Sequence, residues 1–185
     1  MAIVNIENIK AKFEAGDHPR SSDYVDMIDT LAALPVASYG SFYDISTLAI
    51  SNALATYAIP LNTTAEANGV SIVSGSQIKV NNAGVYNLQF SCQLDKTDNN
   101  DDIVNIWLSK NGTNVADSNT QVTVLGNNGK FLASWNFVLT LAANDYVQIM
   151  IQSPDTNMRL VASGVQTSPS RPAIPSSIVT LVQIR

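Results

Sequence analysis

The stretch Tyr86-Asn-Leu-Gln-Phe-Ser-Cys-Gln-Leu94 decides the fold class. Tyr86, Leu88, Phe90, Cys92 and Leu94 occupy alternate positions, and Asn87, Gln89, Ser91 and Gln93 fill the positions between them. A period of two places the apolar set on one face of a strand and the amides on the other. A helix would scatter both sets around its circumference.

Working outward, the same period recurs. In the run 131–141, Phe131, Ala133, Trp135, Phe137, Leu139 and Leu141 share a face. Val104, Ile106 and Leu108 share another, with Trp107 out of phase and pointing the opposite way. The run 177–184 is apolar on both faces and reads as a strand covered on both sides. Turn signals separate these runs: Asn111-Gly112, Gly126-Asn-Asn-Gly129, Ala142-Ala-Asn-Asp145, and Ala83-Gly84 before a strand. About ten short strands with turns every ~8–12 residues predict an all-β, two-sheet sandwich or jelly roll rather than a parallel α/β sheet. Pro169, Pro172 and Pro175 predict a loop over 164–176.

Residues 1–34 have a different texture. Ile6, Ile9 and Phe13 recur at steps of three and four, which predicts one apolar stripe on a short helix capped by Asn5 and stopped by Gly16. Asp17, His18 and Pro19 form a turn. A second helix follows, capped by Ser21 or Ser22, with Asp23 in its first turn and Tyr24, Ile28 and Leu31 on one face. Helices this short are marginal in isolation, so their apolar stripes need a surface to cover. The expected layout is a helical attachment segment, 1–34, and a β domain, 38–185.

Composition narrows the function. Only 14% of the 185 residues are charged, against about 25% in ordinary globular proteins. The polar surface is built from Asn, Ser, Thr and Gln, which suits stable packing between subunits. Net charge is −5 and the arginines are scattered, so a phosphate-tracking groove is excluded and no nucleic-acid partner is expected. No apolar run approaches the ~18 residues of a membrane span, so no membrane partner is expected either. The opening Met1-Ala-Ile-Val-Asn-Ile-Glu-Asn lacks the basic and apolar regions of a secretory signal, and the chain reads as made in a cytoplasm.

Chemistry-bearing groups are few. The single cysteine, Cys92, is in phase with the apolar face and reads as a small core residue. The one histidine, His18, sits in a polar turn. The densest acidic cluster is Asp95, Asp98, Asp101 and Asp102. It reads first as a solvated loop; a cation site or a glycosidase-like carboxylate pair are the alternatives. It lacks the glycine and terminal glutamate of a calcium hand. No phosphate loop, paired-Cys motif or nucleophile elbow is present, and neither catalysis nor a cofactor is expected. Trp135 reads as core, whereas Trp107 is the candidate interface or ligand aromatic.

Four segments, in order, resemble the tumour-necrosis-factor and complement globular-head superfamily: Asn82-Ala-Gly-Val-Tyr86, Ile106-Trp-Leu-Ser-Lys-Asn-Gly112, Val138-Leu-Thr-Leu-Ala-Ala-Asn-Asp145 and Ser177-Ile-Val-Thr-Leu-Val-Gln-Ile184. Asn144 stands where that family usually has Gly. The resemblance implies a ten-stranded jelly roll associating as a homotrimer. The run Phe13-Glu-Ala-Gly-Asp-His-Pro19 followed by Asp23-Tyr-Val-Asp-Met-Ile-Asp29 is similar to attachment segments of bacteriophage virion proteins, with Arg20 in place of the usual Ser or Thr. Together the two resemblances imply a virion structural protein. Its jelly roll would be anchored through residues 1–34 to another virion protein, as capsid decoration, head fibre or tail appendage. The alternative is a receptor-binding module whose loops 95–102, 126–129 and 164–176 contact a host glycan or protein.

Overall fold

Strands supply most of the regular structure between residues 39 and 183 in the computed structural model, which describes residues 5–32 and 36–185. The chain divides into two units, Met1–Val36 and Ala37–Arg185. Residues 1–4, 33 and 34 of the expected attachment segment lie outside the described residues.

The first unit carries helices α1 (Ile6–Lys10) and α2 (Ser21–Ala32). Asn5 caps α1, its side chain accepting the Glu7 N–H at 2.9 Å. Phe13 does not extend the Ile6–Ile9 stripe as expected. The N–H groups of Lys12 and Phe13 donate three residues back, to Ile9 and Lys10, and the helix has already ended in tight turns. Gly16 takes φ +98° but does not stop α1 as expected, because the helix already ends at Lys10 with Ala11 as its C-cap. Ser21 and Ser22 lie inside α2 rather than capping it. The cap position belongs to Arg20: its carbonyl accepts the Asp23 N–H at 2.9 Å, and its own N–H donates to the Asp23 carboxylate at 2.7 Å. That return bond is the acidic half of a capping box.

The second unit contains sixteen strands among the described residues. In chain order they are β1 (Tyr39–Asp44), β2 (Leu48–Ala49), β3 (Tyr57–Ala58), β4 (Thr63–Asn68), β5 (Val70–Val73), β6 (Gln77–Val80), β7 (Gly84–Lys96) and β8 (Asp102–Lys110). There follow β9 (Thr113–Asn114), β10 (Thr120–Val124), β11 (Lys130–Leu141), β12 (Tyr146–Gln152), β13 (Met158–Leu160), β14 (Gln166–Thr167), β15 (Ser170–Arg171) and β16 (Ser177–Gln183). Ten of them are four residues or longer, which is the expected strand count; the rest are short pairing segments.

Two antiparallel sheets form a sandwich. In the first, β7 is central: β11 pairs along one edge, and β16 and β13 share the other end to end. β16 continues to β1 and β4, and β13 to β2. The second sheet runs β10-β8-β12-β6-β5, with β3 on β12 and β9 on β8. Tyr86, Leu88, Phe90, Cys92 and Leu94 of the first sheet meet Val104, Ile106, Leu108, Val147, Ile149 and Ile151 of the second in one core. The Asn111-Gly112 turn has both residues at positive φ, +50° and +80°, the twist a two-residue hairpin needs. Asn144 adopts φ +69° where the resembled family uses Gly.

Three expectations require correction. Phe131 is in phase with the core face but exposed, and Trp135, Phe137 and Leu139 are only half buried, because β11 is an edge strand that nothing covers on its far side within the unit. The run 177–184 is covered on one face, and Ile178 and Val182 on the other remain 40% and 38% exposed. The segment 164–176 is not wholly loop. β14 and β15 form a small hairpin with Pro169 in its turn, while Pro172 and Pro175 fall outside the strands.

Candidate functional site

The acidic cluster separates into three environments. Asp95 ends the outward row of β7, and register places Lys130 on one side of it and Arg159 on the other. It accepts from Lys130 Nζ at 2.9 Å and from Arg159 Nε at 2.6 Å. Burial opposes its charge, but these two bonds prevail and hold its pKa below the ordinary carboxylate value. Asp101 is exposed and accepts the Gly126 N–H at 3.0 Å, tying two turns together. Only Asp98 and Asp102 converge, and they do so with Asp155 from the β12–β13 connection; the oxygens of the three lie within 4.8 Å of one another.

A cation of the chain's own enters this group. Lys96 is in phase with the core face of β7 and fully buried; its Nζ lies 3.4 Å from Asp98 Oδ1 and 3.8 Å from Asp102 Oδ2. Burial first, then the charge of Asp155, pushes the Asp102 carboxyl up to about 6, with Lys96 pulling the other way. An ammonium against these oxygens competes with a metal ion for them. Asp102 is 2% exposed and out of a substrate's reach. The arrangement is a buried ionic knot closing one end of the sandwich. The sequence reading missed Asp155, which is 53 residues from Asp102, and missed Lys96, although its even position in β7 was a signal.

Trp107 projects from the outer face of the second sheet, opposite Met150 in register. Its indole N–H donates to Asn114 Oδ1 at 2.8 Å. Beside it runs a ladder of amides across three strands: Gln121 Nε2 donates to Asn105 Oδ1 and Asn105 Nδ2 to Gln152 Oε1, each at 3.2 Å. Trp107, the ladder and the 114–119 segment enclose a groove of about 450 Å3. Trp135, by contrast, packs edge-on against Phe90 with ring centroids 4.6 Å apart. Its indole N–H is buried and makes no hydrogen bond within the chain.

The outer face of the first sheet has a different chemistry. Its outward positions are Tyr39, Ser41 and Tyr43 on β1; Ile178, Thr180 and Val182 on β16; Asn87 to Gln93 on β7; and Leu132 to Val138 on β11. These positions carry no Asp, Glu, Lys or Arg; the charges of the face are Asp95, Lys130 and Arg159 at one end of it and Glu66 on β4 beside Ser41. Cys92 is fully buried beneath this sheet, and burial raises its thiol pKa, which leaves it inert as a nucleophile.

In the N-terminal unit, Ile9 is buried, whereas Ile6, Tyr24, Val25, Ile28 and Leu31 are each about half exposed. Phe13 meets Tyr24 edge-on at 5.2 Å, and Lys12 Nζ bridges Asp23 at 3.0 Å and Asp26 at 3.1 Å. Gly16, Asp17 and Pro19 form the connection, in which Asp17 accepts the Glu14 N–H at 3.0 Å. Among the described residues no helix is long and apolar enough to cross a membrane.

No protein-family model matches the chain, and no curated protein matches its sequence. Solved structures do resemble it. Murine APRIL at pH 5.0 aligns at 11% identity and TM-score 0.52, covering 80% of this chain and all of that one. Murine APRIL at pH 8.5 aligns at 12% identity and TM-score 0.50 with the same coverage. The globular domain of a zebrafish complement 1qA protein aligns at 14% identity and TM-score 0.49, over 81% of this chain and 98% of that one. At these identities the likeness is one of fold, and the β unit is a two-sheet antiparallel jelly roll of the tumour-necrosis-factor type.

Proposed function

We propose that the chain is a non-enzymatic structural protein of a bacteriophage virion, a homotrimeric jelly roll held on the particle by its N-terminal segment. The observation that carries this reading is the outer face of the first sheet. Its middle is uncharged across four adjacent strands, with Asp95, Lys130 and Arg159 gathered at one end, yet Leu132, Val138, Ile178 and Val182 stand exposed on it. Monomeric proteins blunt such surfaces with charge. Amides, hydroxyls and isolated aliphatic groups are cheap to desolvate compared with ions, and suit a face packed against copies of itself.

The attachment role rests on the short helices. Ile6, Val25, Ile28 and Leu31 stand exposed on helices too short to be stable alone, and apolar side chains so placed suit a partner surface. The likeness of residues 13–29 to phage attachment segments supports a virion partner for that surface.

Light scattering on the intact chain tests the first element. A species near three times 19.8 kDa is expected, and a monomer at micromolar concentration overturns the trimer. Deleting residues 1–36 tests the second. The truncated protein should keep its oligomeric mass and lose its place on particles; retained docking would remove the attachment role.

A further inference from the structure

We propose that the Trp107 groove is a binding site for a neutral saccharide. The proposal is independent of the oligomeric state, because the groove lies on the sheet opposite the one read as the interface.

The groove's volume, about 450 Å3, falls within the ~300–1,000 Å3 of ordinary ligand sites. Its composition is selective. The apolar element is one indole face with Val115 beside it; the rest is Asn105, Asn114, Asp117, Asn119 and Gln152. A protein partner would need a wider desolvated apolar centre than one ring provides. A sugar ring presents a patch of C–H groups, slightly positive, that fits the negative face of an indole. Around its rim it carries hydroxyls that each donate and accept. Planar amides and carboxylates meet adjacent hydroxyls with the donor and acceptor pairs they require.

Two further features favour a ligand of this kind. The Trp107 ring is fixed by its N–H bond to Asn114, and the ladder from Gln121 to Gln152 fixes Asn105, so little ordering cost remains on binding. The capacity of the rim is not consumed internally. Asn114 uses its carbonyl on Trp107 and keeps its NH2, and the side chains of Asp117 and Asn119 make no hydrogen bonds among the described residues. No Lys or Arg lines the groove, and Asp117 places a negative charge at its rim. A sialylated, uronic or phosphate-bearing glycan would meet that charge without compensation. The ligand class is therefore uncharged hexose or N-acetylhexosamine units.

The test is a fluorescence and calorimetric titration of the full chain against a panel of neutral hexose and N-acetylhexosamine tetrasaccharides. Trp135→Phe serves as background, leaving Trp107 as the sole indole. A single stacked ring with a few neutral hydrogen bonds predicts a Kd of about 0.1–1 mM for the best member. Trp107→Ala should weaken it at least about tenfold, and Trp107→Phe should restore part of the loss. Asn119→Ala, an exposed change that disturbs no internal bond, should weaken it several-fold with oligomeric mass unchanged. The proposal is overturned if no neutral panel member perturbs Trp107 at about 10 mM. Binding that survives both Trp107→Ala and Asn119→Ala also overturns it, as does binding confined to anionic glycans or to a protein.

Discussion

Replacing Asp102 by Asn should abolish a pH dependence of stability that the buried knot builds into the β unit. The folded pKa of Asp102 is about 6, against 3.8 for the ordinary group. Between those values the folded chain holds a proton that the unfolded chain has released. Stability therefore falls as pH rises from about 4 to about 6, and levels off above that. A difference of about two units corresponds to at most roughly 3 kcal/mol over the whole titration range. Asp145 acts in the opposite direction. Its bonds from Asn111, Lys110 and the Ala142 N–H hold it at about 2, so its contribution is complete above the ordinary carboxylate range and fades only below pH ~4. Asp95, also lowered, behaves likewise. A window from pH ~4.5 to ~6.5 thus isolates Asp102. The assay is denaturant unfolding of the full chain at about pH 4.5, 5.5, 6.5 and 7.5, with protomer concentration held constant. The wild type should lose roughly 1.5–2 kcal/mol across the window, and Asp102→Asn should vary by less than about 0.5 kcal/mol. A flat wild-type profile, or an unchanged slope in the variant, refutes the reasoning.

Lys96→Met keeps the volume but leaves Asp98, Asp102 and Asp155 facing one another; it should cost about 3–5 kcal/mol at neutral pH and less near pH ~5, measured by the same unfolding curves. A loss under about 1 kcal/mol would mean that the ammonium is not the counterion of the knot. Ile178→Lys places a charge within the uncharged stretch of the sheet face and should lower the light-scattering mass to that of a protomer without changing far-ultraviolet circular dichroism; an unchanged mass would remove this face from the interface. Gly129→Ala puts a Cβ 2.1 Å from the Leu125 carbonyl oxygen, so the β10–β11 turn must shift, and a destabilisation of about 1–3 kcal/mol is expected in denaturant melts.

The fold was legible because its deciding strands obey period two without interruption. In β7 every apolar residue from Tyr86 to Leu94 is buried, and the two turns resting on Asn-Gly and Ala-Ala-Asn-Asp take the backbone conformations their residues favour. What the sequence hid was lateral position. Phe131 is in phase with Ala133 and Leu141, yet exposed, because alternation reports which side a residue faces and not whether its strand lies at an edge. Steps of three and four likewise could not distinguish a helix from successive tight turns at Phe13. The acidic cluster misled for a related reason. Neighbouring residues on a strand diverge to opposite faces, so Asp95 and Lys96 enter different environments, and the true companion of Asp102 comes from a connection far along the chain. Trp107 was singled out by phase alone, but its amide neighbours come from β8, β12 and the 114–119 segment and could be assembled only in three dimensions.

The low charge content acquires a physical sense when the two outer faces are compared. Both are built on amides, but they use them differently. On the first sheet Asn87, Gln89, Gln93 and Asn136 are interspersed with aliphatic side chains, and only a long Asn136–Asn87 contact of 3.5 Å links them. Such groups can bond to another copy of the chain at little desolvation cost. On the second sheet Gln121, Asn105 and Gln152 are already bonded to one another, beside an indole that Asn114 holds in place. That pattern rigidifies a surface instead of leaving it adaptable. A surface meant only for solubility would favour Lys and Glu over either arrangement. The two faces therefore suit the two proposed partners differently, an adaptable face for a copy of the chain and a rigid one for a neutral ligand. Ile178→Lys and Trp107→Ala should accordingly separate assembly from recognition, each leaving the other intact.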